Sequence, residues 1–231
     1  MLQYKQKFTL NQTVVLKMSR NNHIKVLYNY FKYRMTYSGI FIAFEGVDGS
    51  GKSTQIKLLR EKLTKFGYVI HTTTEPSSGK LGPILRDYLS NPNSQHSVDA
   101  LLFAADRIEH YYEEILPKLQ SGAVVICDRY KLSSIIYQGL NGLSEEWITM
   151  INDKVPDPDL TIYLDVSADI AVNRFKNNRN KLEKFETQDN LNSLIKRYES
   201  YLPKNTFVIN AEQSIESVLN DLLKIVIKHM R

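Results

Sequence analysis

Cysteine is nearly missing from this chain. Cys127 is the single one among 231 residues, which excludes an internal disulfide framework and favours a reducing, cytoplasmic compartment. Also missing is an apolar run near the ~20 residues that a membrane-spanning helix needs, so no membrane partner is predicted. The five histidines are scattered without metal-ligand spacing, and no zinc site is predicted. The rest of the composition, 42% hydrophobic and 24% charged, is typical of a globular protein.

Acidic residues are missing from one end of the chain. Residues 1–39 contain seven of the 30 Lys and Arg residues and no Asp or Glu, which leaves 23 basic and 25 acidic residues, a net of −2, for the rest. The formal net charge of +5 therefore arises from this end. Because a nucleic-acid-binding domain carries its positive charge on its body, no nucleic-acid partner is predicted.

We interpret residues 1–39 as a basic N-terminal extension of unknown role. One alternative is a targeting or membrane-surface segment, since transit sequences are also poor in acidic residues. The other is that the working protein starts at Met35. The low Arg and Ser content of the segment counts against a transit peptide.

Residues 40–231 predict a single α/β domain. Short β-branched runs alternate with helical patterns, as in a parallel sheet covered by helices on both faces. The five predicted strands are 40–45, 68–73, 123–127, 160–165 and 206–209. The predicted helices lie near 51–66, 80–89, 97–120, 132–138, 144–153, 167–175, 187–202 and 214–228.

The strongest motif is GVDGSGKS at residues 46–53, which fits G-x-x-x-x-G-K-[ST] between an apolar strand and a helical pattern. Its glycines allow backbone N–H groups to point at phosphates, next to a helix N-terminus. We expect Lys52 to reach the β- and γ-phosphates of ATP and Ser53 to bind Mg²⁺. The motif predicts a P-loop NTPase fold. The predicted nucleotide-binding residues are Gly46, Val47, Asp48, Gly49, Ser50, Gly51, Lys52, Ser53 and Thr54.

Asp48 is an unusual residue for a phosphate-binding loop, because an inward-pointing carboxylate would repel ATP. We therefore expect Asp48 to point outward, where it can accept a hydrogen bond from a sugar hydroxyl of a second substrate, the acceptor of the phosphoryl group. The alternative is that Asp48 bonds amides of its own loop.

Asp128 and Arg129 follow the third predicted strand, at the edge where open α/β sheets bind ligands. Asp128 suits the Mg²⁺ shell in the manner of a Walker-B aspartate. Arg129 offers a planar fork for a phosphate. The alternative is an Asp–Arg pair that only fixes a turn.

Six segments, taken in their order and spacing, resemble thymidylate kinases, which are P-loop nucleoside monophosphate kinases. They are FEGVDGSGKST, TEP at 74–76, LLFAADR at 101–107, DRY at 128–130, SSIIYQG at 133–139 and PDLTIYLDV at 158–166. The resemblance covers most of residues 40–166. It implies a homodimeric enzyme that transfers the γ-phosphoryl group of ATP to dTMP, giving dTDP and ADP.

The resemblance also implies roles for individual residues. Asp48 would hold the deoxyribose 3′-hydroxyl, Phe103 would stack on thymine, and Arg107 would contact the base. Ser134 and Gln138 would read the edge of the base, Arg129 would bind the acceptor phosphate, and Asp128 would order the metal. Without the resemblance, Phe103 is equally well a core residue, and Ser134 and Gln138 equally well solvated helix residues.

One departure from the family pattern affects a phosphate or loop contact. Thr74 stands where the family usually has an arginine before Glu-Pro. The phosphate or loop contact of that arginine is then either absent or supplied by Arg86.

The cation that stabilises the transferring phosphoryl group is predicted to lie in a lid at about 174–186. Some thymidylate kinases place an arginine in the P-loop, but this chain has Gly49 there. The segment RFKNNRNK at 174–181 is rich in cations and asparagine, and Arg179 is its predicted catalytic residue. The alternative is a solvated basic loop.

Three other functions compete with this interpretation. A deoxynucleoside kinase on the same fold would use Glu75 as a base for a neutral 5′-hydroxyl. A non-enzymatic nucleotide switch would read guanine through NKLE at 180–183, which lacks the usual Asp. A nucleic-acid-binding ATPase is disfavoured by the net charge of −2.

Overall fold

The computed structural model describes residues 37–178 and 188–230. Within these ranges five strands alternate with helices. The strands are β1 (Ile40–Glu45), β2 (Ile70–Thr74), β3 (Val124–Asp128), β4 (Leu160–Asp165) and β5 (Thr206–Asn210). The helices are α1 (Lys52–Lys65), α2 (Leu81–Ser90), α3 (His96–His110), α4 (Leu116–Gln120), α5 (Lys131–Leu140), α6 (Glu145–Ile151), α7 (Ala168–Asn178), α8 (Gln188–Tyr201) and α9 (Ile215–His229), with a π-helical turn at Tyr111–Ile115.

The strands form one parallel sheet in the order β2-β3-β1-β4-β5. Ile42 in β1 lies opposite Ile126 in β3 and Leu160 in β4. The three central strands are almost entirely buried, as expected for apolar strands covered on both faces. The predicted α/β fold with a five-stranded parallel sheet is therefore confirmed. Because all strands run the same way, β1, β2 and β3 end at one edge of the sheet, where ligands bind in this fold class.

The predicted helix at 97–120 was wrong in one respect, because it is interrupted by the π-helical turn. Pro117 lies at the start of α4 and has no N–H, so the regular hydrogen-bond ladder cannot continue through it. Glu114 lies in this turn and takes part in the polar network described below.

The structure describes only the first residues of the predicted lid at about 174–186. Helix α7 extends to Asn178, so residues 174–178 are helical. The rest of the predicted lid, including Arg179, Lys181 and the 180–183 segment, lies outside the described residues. None of the helices in 37–178 and 188–230 is both long and apolar enough to cross a membrane.

Candidate active site

The loop between β1 and α1 has the backbone of a phosphate cradle. Gly46 and Gly51 have φ values of 145° and 96°, a region that L side chains rarely adopt. A Cβ on Gly46 would lie 2.8 Å from Ser50 Oγ and 2.9 Å from the Leu164 carbonyl oxygen, so only glycine fits. Gly51 caps α1, which directs the N-terminal N–H groups of that helix toward the loop.

Lys52 lies inside this loop. Its Nζ donates hydrogen bonds to the carbonyl oxygens of Gly46 and Val47, each at 3.0 Å, and the residue is buried. Burial, reinforced by the nearby charge of Arg129, lowers the pKa of Lys52 to about 8. The loop therefore contains a poorly hydrated cation, and an anionic ligand would stabilise its charged form.

Ser53 and Asp128 place two oxygen ligands beside the loop. Ser53 Oγ donates to Asp128 Oδ2 at 3.2 Å. Asp128 Oδ1 is buried and has no hydrogen-bond partner among the described residues. A hydroxyl and a carboxylate with an unused oxygen fit the ligands that Mg²⁺ prefers, together with waters and substrate phosphates.

A cavity of about 420 Å³ opens beyond the ends of β1, β2 and β3. All six residues that the resemblance assigned to the acceptor line it: Asp48, Phe103, Arg107, Arg129, Ser134 and Gln138. Phe103 is only half-buried. Ser134 and Gln138 lie one turn apart on α5 and are buried. Their side-chain oxygens have no hydrogen-bond partner among the described residues. Such a cavity, part aromatic and part polar, suits a small polar aromatic ligand.

Arg129 joins the loop to this cavity. Its Nη2 lies 2.5 Å from Asp48 Oδ1, its Nη1 donates to Ser133 Oγ at 3.2 Å, and its guanidinium lies 4.8 Å from the centre of the Tyr137 ring. Arg129 is also the non-glycine residue with a positive φ, 70°, in the described part of the chain. A backbone held in this sparsely populated region is a common feature of functional sites.

Glu45 and Tyr137 belong to the site, although the sequence interpretation missed both. Glu45 is fully buried at the end of β1 and accepts hydrogen bonds from the Tyr130 N–H at 2.9 Å and from Ser133 Oγ at 2.6 Å, which fixes the start of α5. Burial raises the pKa of Glu45 and, to about 12, that of Tyr137. A charged residue ending the apolar run FIAFE was the available signal for Glu45.

Arg107 is held by groups from three separate parts of the chain. Its Nε and Nη2 both lie 2.7 Å from Glu75 Oε2, its Nη1 donates to Asn152 Oδ1 at 2.5 Å, and its Nη2 donates to the Tyr130 carbonyl oxygen at 3.4 Å. The other oxygen of Glu75 faces His110 Nδ1 at 3.2 Å. Both oxygens of Glu75 are thus bonded, so the deoxynucleoside kinase alternative lacks a free base.

Arg86 supplies a loop contact near the Thr74 departure. Its Nη1 donates to the carbonyl oxygens of Pro76 and Ser77, at 3.0 and 2.9 Å. Thr74 Oγ1 instead donates to the Asp128 carbonyl oxygen at 3.1 Å. Of the two possibilities for the missing arginine, the structure favours replacement of its loop contact by Arg86.

Arg174 bridges the P-loop and the loop that follows β5. Its Nη1 donates to the Gly49 carbonyl oxygen at 3.0 Å and its Nη2 to the Ala211 carbonyl oxygen at 2.7 Å. The side chain therefore lies against the backbone of the P-loop, and α7 holds it there.

Comparison with known proteins gives a consistent result. A family model described as thymidylate kinase matches residues 44–222. A protein of Pyrobaculum aerophilum named "Probable thymidylate kinase" is 43% identical over 83% of this chain and 98% of its own length. Proteins of the same name from Caldivirga maquilingensis and Pyrococcus abyssi are 41% and 40% identical, over 81% and 83% of this chain and 93% and 97% of their own lengths. The chain therefore belongs to the thymidylate kinase family.

Proposed function

We propose that this protein transfers the γ-phosphoryl group of Mg²⁺-bound ATP to dTMP, giving dTDP and ADP. One observation carries the proposal: Arg129 contacts Asp48 of the P-loop and also lines the acceptor cavity. The donor and acceptor phosphates would therefore meet beside one guanidinium. Family membership supports nucleotide substrates, and the cavity supports a pyrimidine acceptor.

On the donor side, the loop N–H groups and Lys52 would bind the β- and γ-phosphates. Ser53 and Asp128 would hold Mg²⁺, which neutralises charge on the phosphates when it is bound. The negative charge of the nucleotide would replace the carbonyl contacts of Lys52 with stronger, charge-assisted hydrogen bonds.

On the acceptor side, Arg129 would bind the phosphate of dTMP and Asp48 the 3′-hydroxyl. Phe103 would stack on the thymine ring, and Arg107 would donate to one of its carbonyl oxygens, since an arginine only donates. Ser134 and Gln138 would bond to the base edge through their unpaired oxygens.

The reaction needs no general base. A phosphate monoester has a second pKa of ~6, so the acceptor oxygen is already anionic at neutral pH. This oxygen forms a bond to the γ-phosphorus while the bond to the β–γ bridging oxygen breaks and ADP leaves. The engagement of both Glu75 oxygens in hydrogen bonds is compatible with this mechanism.

The proposal is tested by coupled assay of ADP release with a panel of acceptors. We expect dTMP to give the highest kcat/KM. The value for dUMP should be about fourfold lower, because a buried methyl group contributes ~0.8 kcal/mol. The purine monophosphates AMP and GMP should be at least ~10²-fold poorer, and thymidine should not react. Turnover of AMP or GMP equal to that of dTMP would contradict the assignment, and turnover of thymidine would restore the deoxynucleoside kinase alternative.

We also propose that the protein is a homodimer that works in the cytoplasm. The paired helices α2 and α3 expose Ile84 and Leu101, which are 54% and 49% accessible. The buried thiol of Cys127 suits a reducing compartment. Light scattering is expected to give twice the chain mass, and Leu101→Lys to shift the mass toward that of one chain. A wild-type mass of one chain at micromolar concentration would disprove the dimer.

A further inference from the structure

A row of polar residues extends from the protein surface to Arg107. His71, Thr73 and Glu75 alternate along β2 and its end, so they share one face of the sheet. Opposite them lie His110 and Glu114, one turn apart. His71 Nε2 is 2.8 Å from Glu114 Oε1, Thr73 Oγ1 is 2.7 Å from His110 Nε2, and His110 Nδ1 is 3.2 Å from Glu75 Oε1.

The ion pair between Glu75 and Arg107 has an uneven geometry. In the usual fork, each carboxylate oxygen takes one N–H of the guanidinium. Here Glu75 Oε2 takes both the Nε and the Nη2 contact, and Oε1 faces His110 instead. His110 thus contacts the carboxylate oxygen that the second N–H group of the guanidinium would otherwise bind.

His110 meets Glu75 in the protein interior, although Glu75 and Arg107 also line the acceptor cavity. The side chains of His110, Glu75 and Arg107 are 0%, 3% and 2% exposed. If the Nδ1 donor were lost, Glu75 Oε1 would be a buried, unsatisfied carboxylate oxygen, which is costly. The carboxylate would relieve this cost by rotating into the two-oxygen fork, and Nη2 of Arg107 would move with it.

We propose that His110 is a positioning residue for acceptor recognition: it holds Glu75 in the one-oxygen geometry and so aims the Arg107 guanidinium at the acceptor cavity. The inference rests on the proposed function, in which Arg107 contacts the base. His110 does not touch the substrate, and it acts through Glu75.

A metal ion is a weaker explanation of the same cluster. Donor atoms of Glu75, His110 and Cys127 lie within 4.8 Å of one another. The positive charge of Arg107 already neutralises Glu75, and burial raises the pKa of the Cys127 thiol well above its usual range, which disfavours the thiolate that a metal would bind. The hydrogen-bonded network accounts for these groups without a cation.

Substitution of His110 by asparagine or by glutamine distinguishes the roles of its two ring nitrogens. Asparagine places its amide nitrogen near the position of Nδ1, and glutamine places it near that of Nε2. We expect His110→Gln to raise the KM for dTMP about tenfold and to reduce the preference for dTMP over dCMP, because cytosine lacks one of the two carbonyl oxygens of thymine. The KM for ATP should not change. His110→Asn should stay within about twofold of wild type in all three values.

A double-mutant cycle tests whether the effect passes through Glu75. In a Glu75→Gln background, His110→Gln should add no further increase in the KM for dTMP. Equal effects of His110→Asn and His110→Gln, or full additivity with Glu75→Gln, would overturn the proposal and leave His110 as a packing residue.

The protonation of His110 Nδ1 can be measured on the wild-type protein, so this test does not depend on the folding of a variant. The proposal requires a proton on Nδ1, which the ¹⁵N chemical shifts of the His110 imidazole report. A bare Nδ1 would overturn the inference. Absence of dTMP turnover in the wild type would instead overturn the proposed function, and calorimetric binding of dTMP to wild type and His110→Gln would still test the inference.

Discussion

Replacing Lys52 with methionine is expected to lower kcat about 10³-fold, with little change in the melting temperature of the nucleotide-free protein. The loss of activity corresponds to about 4 kcal/mol of transition-state stabilisation, because the ammonium is the loop's own charge on the β- and γ-phosphates. The fold should tolerate the change. A pKa of about 8 instead of 10.5 means that the surroundings of Lys52, burial above all, disfavour its charged form by a net of about 3 kcal/mol. Relief of this cost offsets the two lost carbonyl contacts.

The measurements are steady-state kinetics and thermal unfolding of the same preparations. Lys57→Met is the matched control, since Lys57 is an exposed lysine on the same helix and should keep wild-type activity. Asp48→Asn separates the two substrates, because it should raise the KM for dTMP and leave that for ATP nearly unchanged. A large drop in melting temperature for Lys52→Met, or a loss of activity in Lys57→Met, would contradict this account.

The P-loop was predictable from the sequence because its determinants are local. Gly46, Gly51 and Lys52 lie within seven consecutive residues, and each is required by a backbone conformation or a contact inside that loop. The three central strands were predictable for a related reason: a strand buried on both faces has a continuous apolar run. The predicted strand starts at residues 68 and 123 differ from Ile70 and Val124 by two residues or fewer.

The supporting residues of the acceptor cavity were not predictable, because their partners are far away in the chain. Glu45 binds Ser133, 88 residues later, and Arg107 binds Asn152, 45 residues later. Neither pairing leaves a spacing or a period in the sequence. The resemblance to a family supplied the cavity residues themselves but not the groups that orient them, such as His110.

Arg174 shows the same limit on the donor side. The sequence predicted a helix to about residue 175 and a lid from about residue 174, so it placed Arg174 at this boundary but gave no contact for it. The structure continues α7 to Asn178 and directs Arg174 to the carbonyl oxygens of Gly49 and Ala211, 125 and 37 residues away. Helical propensity predicts the end of a helix poorly, and the contacts that fix Arg174 are tertiary contacts.

Replacing Arg179 with alanine is expected to lower kcat about 10²-fold and to change the KM values little. Phosphoryl transfer requires a cation over the transferring group, and an arginine in that position contributes ~10³–10⁵ in turnover. Among the described residues, the other cations near the site have roles in the proposal: Lys52 on the donor phosphates, Arg129 on the acceptor phosphate and Arg107 on the base. Arg174 contacts the carbonyl oxygens of Gly49 and Ala211. The P-loop itself has Gly49 where some relatives would have an arginine.

Three variants identify the cation. Arg179→Ala should have the largest effect on kcat, because an interaction made mainly in the transition state lowers kcat more than it raises KM. Lys181→Ala and Arg174→Ala should each have a smaller effect, and Arg174→Ala should raise the KM for ATP, since its guanidinium contacts the backbone of the proposed ATP-binding loop. A larger kcat loss in Arg174→Ala would move the catalytic cation onto α7. If all three variants kept wild-type kcat, the cation would have to come from the second subunit of the proposed dimer.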